Sequence, residues 1–256
     1  MGTLNERVAL VTGASRGIGA ATARALAEAD ARVIITHRDS AAGAREVLAG
    51  LPGEGHRIVQ VSATDSEGLS AAAASVAEIE GRLDILVNNA AMTRVVPHGD
   101  LDALTDALFD EIFQTNVRGA FATVRAFRPL LVAGEGGVVV NISSLAAKLA
   151  NGSNIAYCAS KAAMDNMTMS LARALAPEIR VLSVAPGLVD TELTRGWAPE
   201  VRNSMIAETP LGRLTVPEDV ARAVLAAVVD LPMTTGVVIP VDGGRPLGAA
   251  TKVHTF

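Results

Sequence analysis

A tyrosine and a lysine stand four residues apart in a helical stretch, in the run Tyr157-Cys-Ala-Ser-Lys161. Residues i and i+4 lie one turn apart on one face of a helix, so the Lys161 ammonium is expected beside the Tyr157 phenol. A free phenol has a pKa of about 10, and a nearby positive charge favours the phenolate and lowers that pKa. Tyr157 is the only tyrosine of the chain. The pattern predicts a general acid/base that works near neutral pH.

A glycine-rich turn near the start of the chain has the composition of a phosphate-binding loop. The apolar run Val8–Thr12 leads into Thr12-Gly-Ala-Ser-Arg-Gly-Ile-Gly19, and a helical pattern follows. Glycines at 13, 17 and 19 permit a tight turn and a close approach of the backbone to a pyrophosphate, which the helix N-terminus also attracts. Because the turn joins the first strand to the first helix, it favours a dinucleotide site over an ordinary glycine-rich turn.

The end of the second strand bears on which dinucleotide binds. An acidic residue there usually holds the ribose 2′-hydroxyl, but here His37 and Arg38 precede the first carboxylate, Asp39. Arg38, together with Arg16 of the glycine turn, could pair with a 2′-phosphate through charge-assisted hydrogen bonds. The alternative is two ordinary solvated arginines. The sequence favours NADP(H) over NAD(H).

Short β-type runs alternate with longer helical patterns along the chain. The predicted strands are Val8–Thr12, Arg32–Thr36, Arg57–Val61, Ile85–Asn88, Gly137–Ile142, Arg180–Ala185 and Gly236–Pro240. The predicted helices are Ile18–Ala29, Ala41–Leu51, Ser66–Glu80, Leu101–Phe113, Val117–Ala133, Ala156–Ala176 and Pro217–Asp230. This alternation predicts an α/β fold in one domain, residues 1–256, with a parallel sheet covered by helices on both faces. Residues 190–213 break the rhythm and are predicted to form a substrate lid.

Composition excludes several function classes. The 256 residues carry a formal net charge of −5, so there is no basic excess for a nucleic-acid partner. Cys158 is the only cysteine, and the four histidines lack ligand spacing, so no disulfide and no metal site are expected. The sequence holds no apolar run of about 18 residues and no room for a signal peptide before Arg7. We therefore expect a cytoplasmic protein without a membrane segment.

Taken together, the motifs show that the chain resembles the short-chain dehydrogenase/reductase family over nearly its whole length. The matching elements, in order, are Thr12–Gly19, Asn88-Asn89-Ala90, Asn116, Ser144, Tyr157 with Lys161, Pro186-Gly187 with Thr191, and Val241-Asp-Gly-Gly244. Their joint occurrence is far more specific than any one of them. The resemblance implies a Rossmann-type, doubly wound sheet of seven parallel strands.

The resemblance also implies a role for each member of a catalytic tetrad. Tyr157 would exchange the proton with the carbonyl or alcohol, and Ser144 would orient the substrate oxygen. Lys161 would bind the nicotinamide ribose and lower the pKa of Tyr157. Asn116 would hold a water that links Lys161 to solvent. Ser143 is the neighbouring alternative for the serine, but the spacing to Tyr157 favours Ser144.

A larger set of residues is expected to line the cofactor site. These are Gly13, Ser15, Arg16, Gly17, Ile18, Gly19, His37, Arg38, Ser62, Ala63, Asn89, Ala90, Tyr157, Lys161, Pro186, Gly187, Val189 and Thr191. Thr191 is expected at the nicotinamide carboxamide, with the Val189 backbone beside it. Ser62 stands where the family usually has an adenine-binding Asp. Ala91 stands where a Gly usually follows Asn-Asn-Ala.

The expected reaction moves a hydride between a nicotinamide and a ketone/secondary alcohol pair of a small-molecule substrate. Within the family, the motifs most resemble those of the 3-oxoacyl-[acyl-carrier-protein] reductases. A 3-oxoacyl thioester is nevertheless only the runner-up substrate, because Glu135 and Glu178 would repel an acidic carrier protein. A non-catalytic nucleotide sensor or scaffold is a third hypothesis, which the intact tetrad disfavours. The family resemblance implies a homodimer or homotetramer, built through the helices Val117–Ala133 and Ala156–Ala176.

Overall fold

A computed structural model describes residues 3–191, 196 and 198–249, and it contains one parallel sheet of seven strands. The strands are β1 (Val8–Val11), β2 (Arg32–His37), β3 (Arg57–Gln60), β4 (Ile85–Asn88), β5 (Gly137–Ile142), β6 (Ile179–Pro186) and β7 (Val238–Val241). Their order across the sheet is β3-β2-β1-β4-β5-β6-β7. The order reverses between β1 and β4, and ligands of such sheets bind in the crevice at that point, beyond the carboxyl ends of the strands. The predicted Rossmann-type fold is confirmed.

Helices cover both faces of this sheet. They are α1 (Gly17–Glu28), α2 (Ala41–Ala49), α3 (Ser66–Glu80), α4 (Asp106–Phe113), α5 (Ala120–Val132), α6 (Ala146–Leu149), α7 (Ile155–Leu175), α8 (Pro199–Ala207) and α9 (Pro217–Val229). Helices α1, α2 and α9 pack on one face, and α3, α5 and α7 on the other. Among the described residues, no helix is both long enough and apolar enough to span a bilayer.

The core explains why the strands read as continuous apolar runs. In β1, Val8 and Leu10 belong to the cluster under α3, α5 and α7, whereas Ala9 and Val11 belong to the cluster under α1, α2 and α9. Side chains alternate between the faces of a strand, so a sheet covered on both faces needs an apolar residue at each position. The sequence meets this need almost entirely with aliphatic residues.

A chain of buried amides and hydroxyls joins the sheet to α7. The Asn88 side chain donates to that of Asn141 at 2.9 Å, and Asn141 donates to the Thr168 hydroxyl at 2.9 Å. Thr168 donates in turn to the carbonyl of Met164. Hydrogen bonds in a water-poor interior hold groups firmly in place. This series of hydrogen bonds therefore fixes α7 against β4 and β5.

Two helices begin more than two residues away from their predicted starts, and the other predicted helix ends agree to within two residues. A helix was expected over Leu101–Phe113, but α4 begins at Asp106 because the Thr105 hydroxyl caps it by accepting from the Leu108 amide. A helix was also expected over Val117–Ala133. Instead a π-helical turn, Gln114–Gly119, leads without a break into α5. Such turns carry no clear composition signal and are frequent at functional sites.

The segment predicted as a lid is only partly irregular, since it contains helix α8. Arg202 on this helix pairs with Asp190 at 3.1 Å, which ties the helix to the chain just after β6. Residues 192–195 and 197 lie outside the described residues. That part of the predicted lid, with Leu193, Arg195 and Trp197, is therefore not characterised. A lid function for residues 190–213 stays a prediction.

Candidate active site

The first turn of α7 places Tyr157, and a buried asparagine fixes that turn. Asn154 caps the helix: its side-chain oxygen accepts from the Tyr157 amide at 2.7 Å. Its side-chain amide donates to the Arg94 carbonyl, also at 2.7 Å. The loop after β4 is thereby tied to the start of α7. The sequence analysis missed Asn154, although an asparagine just before a helical pattern is a known helix-start signal.

The Ser144 hydroxyl lies close enough to the Tyr157 phenol to favour the phenolate and so to lower the pKa of Tyr157. Burial has the larger effect and raises the pKa of Tyr157 above its ordinary value. Lys161 is not among the groups that shift this pKa, so these residues alone do not produce the predicted lowering by Lys161. The neighbouring Ser143 hydroxyl donates to the Lys161 carbonyl at 3.4 Å instead. This geometry supports Ser144 over Ser143 for the serine role.

Lys161 lies one turn after Tyr157, as the spacing predicts, with its Nζ atom 5.7 Å from the centre of the phenol ring. The Nζ atom donates to the Ile142 carbonyl at 2.7 Å, at the carboxyl end of β5. Burial lowers the pKa of Lys161 from 10.5 to about 8, and the nearby Asp165 carboxylate opposes this shift. The charge of Lys161 is therefore sensitive to pH and to its surroundings.

Asn116 lies in the π-helical turn and is completely buried. Its side-chain oxygen accepts from the Met92 amide at 2.8 Å, and its side-chain amide donates to the Met92 carbonyl and to Ser160, both at 3.0 Å. Both amide hydrogens are thus engaged by protein groups. The Asn116 side chain thus joins Met92, in the loop after β4, to Ser160 of α7, the residue before Lys161. The water-holding role that the family resemblance implies stays a prediction.

The glycine turn leaves the N-terminus of α1 open to an anion. Gly13 and Gly17 have φ values of 63° and 57°, in the left-handed region that favours glycine. Arg16, the residue before α1, provides no side-chain cap, and the first turn of the helix holds no acidic residue. Its amide groups and positive dipole are thus available to a phosphate group.

Asn89 and Ala90 hold this turn in place through hydrogen bonds. The Asn89 side-chain amide donates to the carbonyls of Thr12 and Gly13 at 2.9 and 3.0 Å. The Ala90 amide donates to the Thr12 hydroxyl at 3.0 Å. A Cβ atom on Gly19 would lie 2.5 Å from the Asn89 amide nitrogen, so the close packing requires glycine there. These residues shape the cofactor site chiefly by holding the turn.

A cleft of about 1570 Å³ opens beyond the carboxyl ends of β1, β2 and β4. Twelve of the predicted cofactor residues line it: Gly13, Ser15, Arg16, Gly17, Ile18, His37, Arg38, Ser62, Ala63, Asn89, Ala90 and Thr191. Gly19, Pro186, Gly187, Val189, Tyr157 and Lys161 are not part of its lining. The Gly187 amide instead donates to the Val241 carbonyl at 3.0 Å, which holds the turn after β6. The cleft thus reaches Thr191 but ends short of the tetrad.

The tip of β2 presents two nitrogen-bearing side chains to this cleft. His37 is buried, and its Nδ1 atom has no hydrogen-bond partner in the part of the chain that the structure describes. Arg38 is exposed, and its Nε atom lies 2.5 Å from the Asp39 carboxylate. The N-terminus of α1, which has no side-chain cap, and the Nδ1 atom of His37 together fit the phosphate and ribose groups of a nicotinamide dinucleotide. In residues 3–191, 196 and 198–249, no cluster of three side chains could hold a metal ion.

Comparisons with known proteins agree with this site. A family model described as enoyl-(acyl carrier protein) reductase matches residues 13–245. The cis-4-hydroxycyclohexanecarboxylate dehydrogenase of Sinomonas cyclohexanicum is 40% identical, over 93% of this chain and 96% of the relative. The 3-oxoacyl-[acyl-carrier-protein] reductase of Thermotoga maritima is 34% identical, over 94% of this chain and 98% of the relative.

A solved structure gives the same result for the fold. The crystal structure of a short-chain dehydrogenase/reductase from Brucella melitensis, described as a glucose/ribitol dehydrogenase, matches with a TM-score of 0.89 and 28% identity. The match covers 95% of this chain and 98% of that one. The chain therefore belongs to the short-chain dehydrogenase/reductase family and is a nicotinamide-dependent oxidoreductase.

Proposed function

We propose that this protein interconverts a ketone and a secondary alcohol with NADP(H), and that Tyr157 exchanges the proton. The observation that carries the proposal is that the Tyr157 phenol lies between the Ser144 hydroxyl, which favours its phenolate, and the buried Lys161 one helical turn later. A hydroxyl, a phenol and an ammonium placed in this order can orient a carbonyl oxygen and protonate it.

The reduced cofactor supplies a hydride to the carbonyl carbon when bound. In that direction, the Tyr157 phenol gives its proton to the carbonyl oxygen, to which the Ser144 hydroxyl donates a hydrogen bond. The Lys161 ammonium stabilises the phenolate that remains. One hydride and one proton convert C=O into CH–OH, and the same groups act in reverse when the alcohol is oxidised.

The preference for NADP(H) is supported by the tip of β2. An NAD site usually has a carboxylate there for the ribose hydroxyls. Here the strand ends at the buried His37, and the exposed Arg38 follows it. Arg38 and Arg16 both line the cleft and can converge on a 2′-phosphate. Asp39 offsets part of the Arg38 charge but is itself exposed, so the ion pair is weak and can rearrange.

Replacing Arg38 is the direct test of cofactor choice. In Arg38→Asp, the ratio of kcat/KM for NADPH to that for NADH should fall by at least about tenfold, because a charge-assisted contact is lost and a repulsive one is added. The matched control is Arg45→Asp, with the same charge change at an exposed position on α2. An unchanged ratio in Arg38→Asp, or an equal fall in both variants, contradicts the NADP(H) assignment.

A 3-oxoacyl thioester remains the second candidate substrate, and one argument against it does not hold within a single chain. Glu135 and Glu178 were expected to repel an acidic carrier protein at the site. Glu135 lies two residues before β5 and Glu178 one residue before β6, so both lie at the amino edge of the sheet, opposite the cleft. Glu135 also pairs there with Arg7 at 2.7 Å. Their charge does not bear on the cleft of the same chain, and the Thermotoga maritima relative is named for such a substrate.

Two substrates separate the candidates. NADPH oxidation would be followed with 4-oxocyclohexanecarboxylate, the ketone of the alcohol named for the Sinomonas cyclohexanicum relative, and with acetoacetyl thioester. We expect turnover of the cyclic ketone. Faster turnover of the thioester would move 3-oxoacyl reduction to first place. NADPH binding without turnover of any ketone would overturn the enzymatic assignment and favour a nucleotide sensor.

We further propose a homodimer or homotetramer that associates through α5 and α7. Phe121 and Val132 on α5, and Ile155 and Met169 on α7, are large apolar side chains exposed in the single chain. Burying such groups between copies would remove apolar surface from water. The exposure supports the proposal without fixing the number of copies.

A further inference from the structure

A carboxylate that the proposed mechanism does not use lies one helical turn after Lys161. Asp165 is the only acidic residue of α7, and the i+4 spacing puts it on the same helix face as Lys161. Its Oδ1 atom is inaccessible to solvent and has no hydrogen-bond partner among the described residues. Burying a carboxylate oxygen without a partner is costly. A helix stabilised only by packing would have an apolar or neutral residue at this position.

Burial is the largest effect on Asp165 and raises its pKa above the ordinary value. The Ser143 hydroxyl just beyond β5, the Lys161 charge and the Ser183 hydroxyl on β6 oppose this rise and favour the ionised form. Lys161 is the one charged group, in the described part of the chain, that acts on this carboxylate. The surroundings of Asp165 are therefore two neutral hydroxyls and one cation.

The charge of Asp165 also acts on Lys161. Its Nζ atom is deeply buried, and its hydrogen bond goes to the Ile142 carbonyl, a neutral acceptor. Burial in such surroundings disfavours the ammonium form. Within the described residues, Asp165 is the charge that offsets this loss.

We propose that Asp165 is a positioning residue that keeps Lys161 in its ammonium form at the active site. The Lys161 Nζ atom is held by its hydrogen bond to the Ile142 carbonyl, and the Asp165 carboxylate one helical turn later acts on it through its charge alone. The inference rests on the proposed role of Lys161 in stabilising the Tyr157 phenolate. Asp165 itself contacts neither the substrate nor the cofactor, and acts through Lys161.

The test is the pH profile of alcohol oxidation in Asp165→Asn, which removes the charge and keeps the shape. Loss of an opposite charge near Lys161 should move the alkaline limb of kcat/KM at least about one pH unit lower. Activity should fall about tenfold near the alkaline end and change little below neutral pH. Asp165→Glu keeps the charge and should restore the limb. Glu54→Gln, an exposed position just before β3 at the amino edge of the sheet, should leave the profile unchanged.

The thermal midpoint of each variant separates positioning from stability. An unchanged profile in folded Asp165→Asn overturns the proposal. So does an equal loss of activity at every pH together with a lower midpoint, since that marks a structural residue. If the Asn variant does not fold, Asp165→Ser replaces it, and the same shift of the alkaline limb is required. A wild-type enzyme that oxidises no alcohol refutes the proposed function instead, before any variant is compared.

Discussion

The Tyr157→Phe variant is expected to lose ketone reduction by about 10³-fold in kcat/KM, while NADPH still binds with wild-type affinity. The change removes one oxygen atom, the proposed proton donor, and keeps the ring that packs at the start of α7. Because burial raises the pKa of Tyr157, the wild-type phenol holds its proton at neutral pH, ready for transfer to a carbonyl. No other phenol exists in the chain to replace it.

Two measurements are needed to interpret this loss. NADPH oxidation gives kcat/KM, and a fluorescence titration gives the affinity for NADPH. Ser144→Ala is the matched comparison, since it removes the hydroxyl that contacts the phenol but leaves the proton donor in place. Its loss should be smaller, about 100-fold in kcat/KM. A Tyr157→Phe enzyme that retains more activity than Ser144→Ala would show that another group provides the proton.

Much of the site could be predicted because its motifs are local. The spacing of Tyr157 and Lys161 can be interpreted within one helix. The glycine turn can be interpreted within one strand–helix junction. The alternation of apolar and helical runs likewise fixed the class of fold. Each of these signals depends on residues within a few positions of one another.

What could not be predicted depends on contacts between distant parts of the chain. Asn154 matters because it bonds the carbonyl of Arg94, sixty residues away. Asp165 matters because its surroundings include Ser183, which lies on strand β6 and lowers its pKa. The repulsion assigned to Glu135 and Glu178 was misplaced because the edge of the sheet on which a charge lies follows from topology, not from charge pattern. The π-helical turn at Asn116 likewise gave no periodic signal.

The Lys161→Met variant should lose at least about 10²-fold in kcat/KM, because the phenolate of Tyr157 loses its stabilising cation. The same substitution reports on stability. The pKa of Lys161 is lowered from 10.5 to about 8 in the fold, so between these pH values the unfolded chain binds more protons than the folded one. The contribution of Lys161 to the free energy of unfolding must then rise with pH across this window and be smallest below it. The variant lacks this titration.

The free energy of unfolding of the wild type minus that of Lys161→Met is therefore expected to increase from about pH 7 to about pH 9.5. Each pH unit inside the window contributes about 1.4 kcal/mol, so the free energy of unfolding of the wild type should gain about 2 kcal/mol relative to the variant. Denaturant unfolding of both proteins at the two pH values measures this difference. The contributions of all other titrating groups cancel from it to first order. A difference that stays constant would mean that the buried lysine keeps an ordinary pKa.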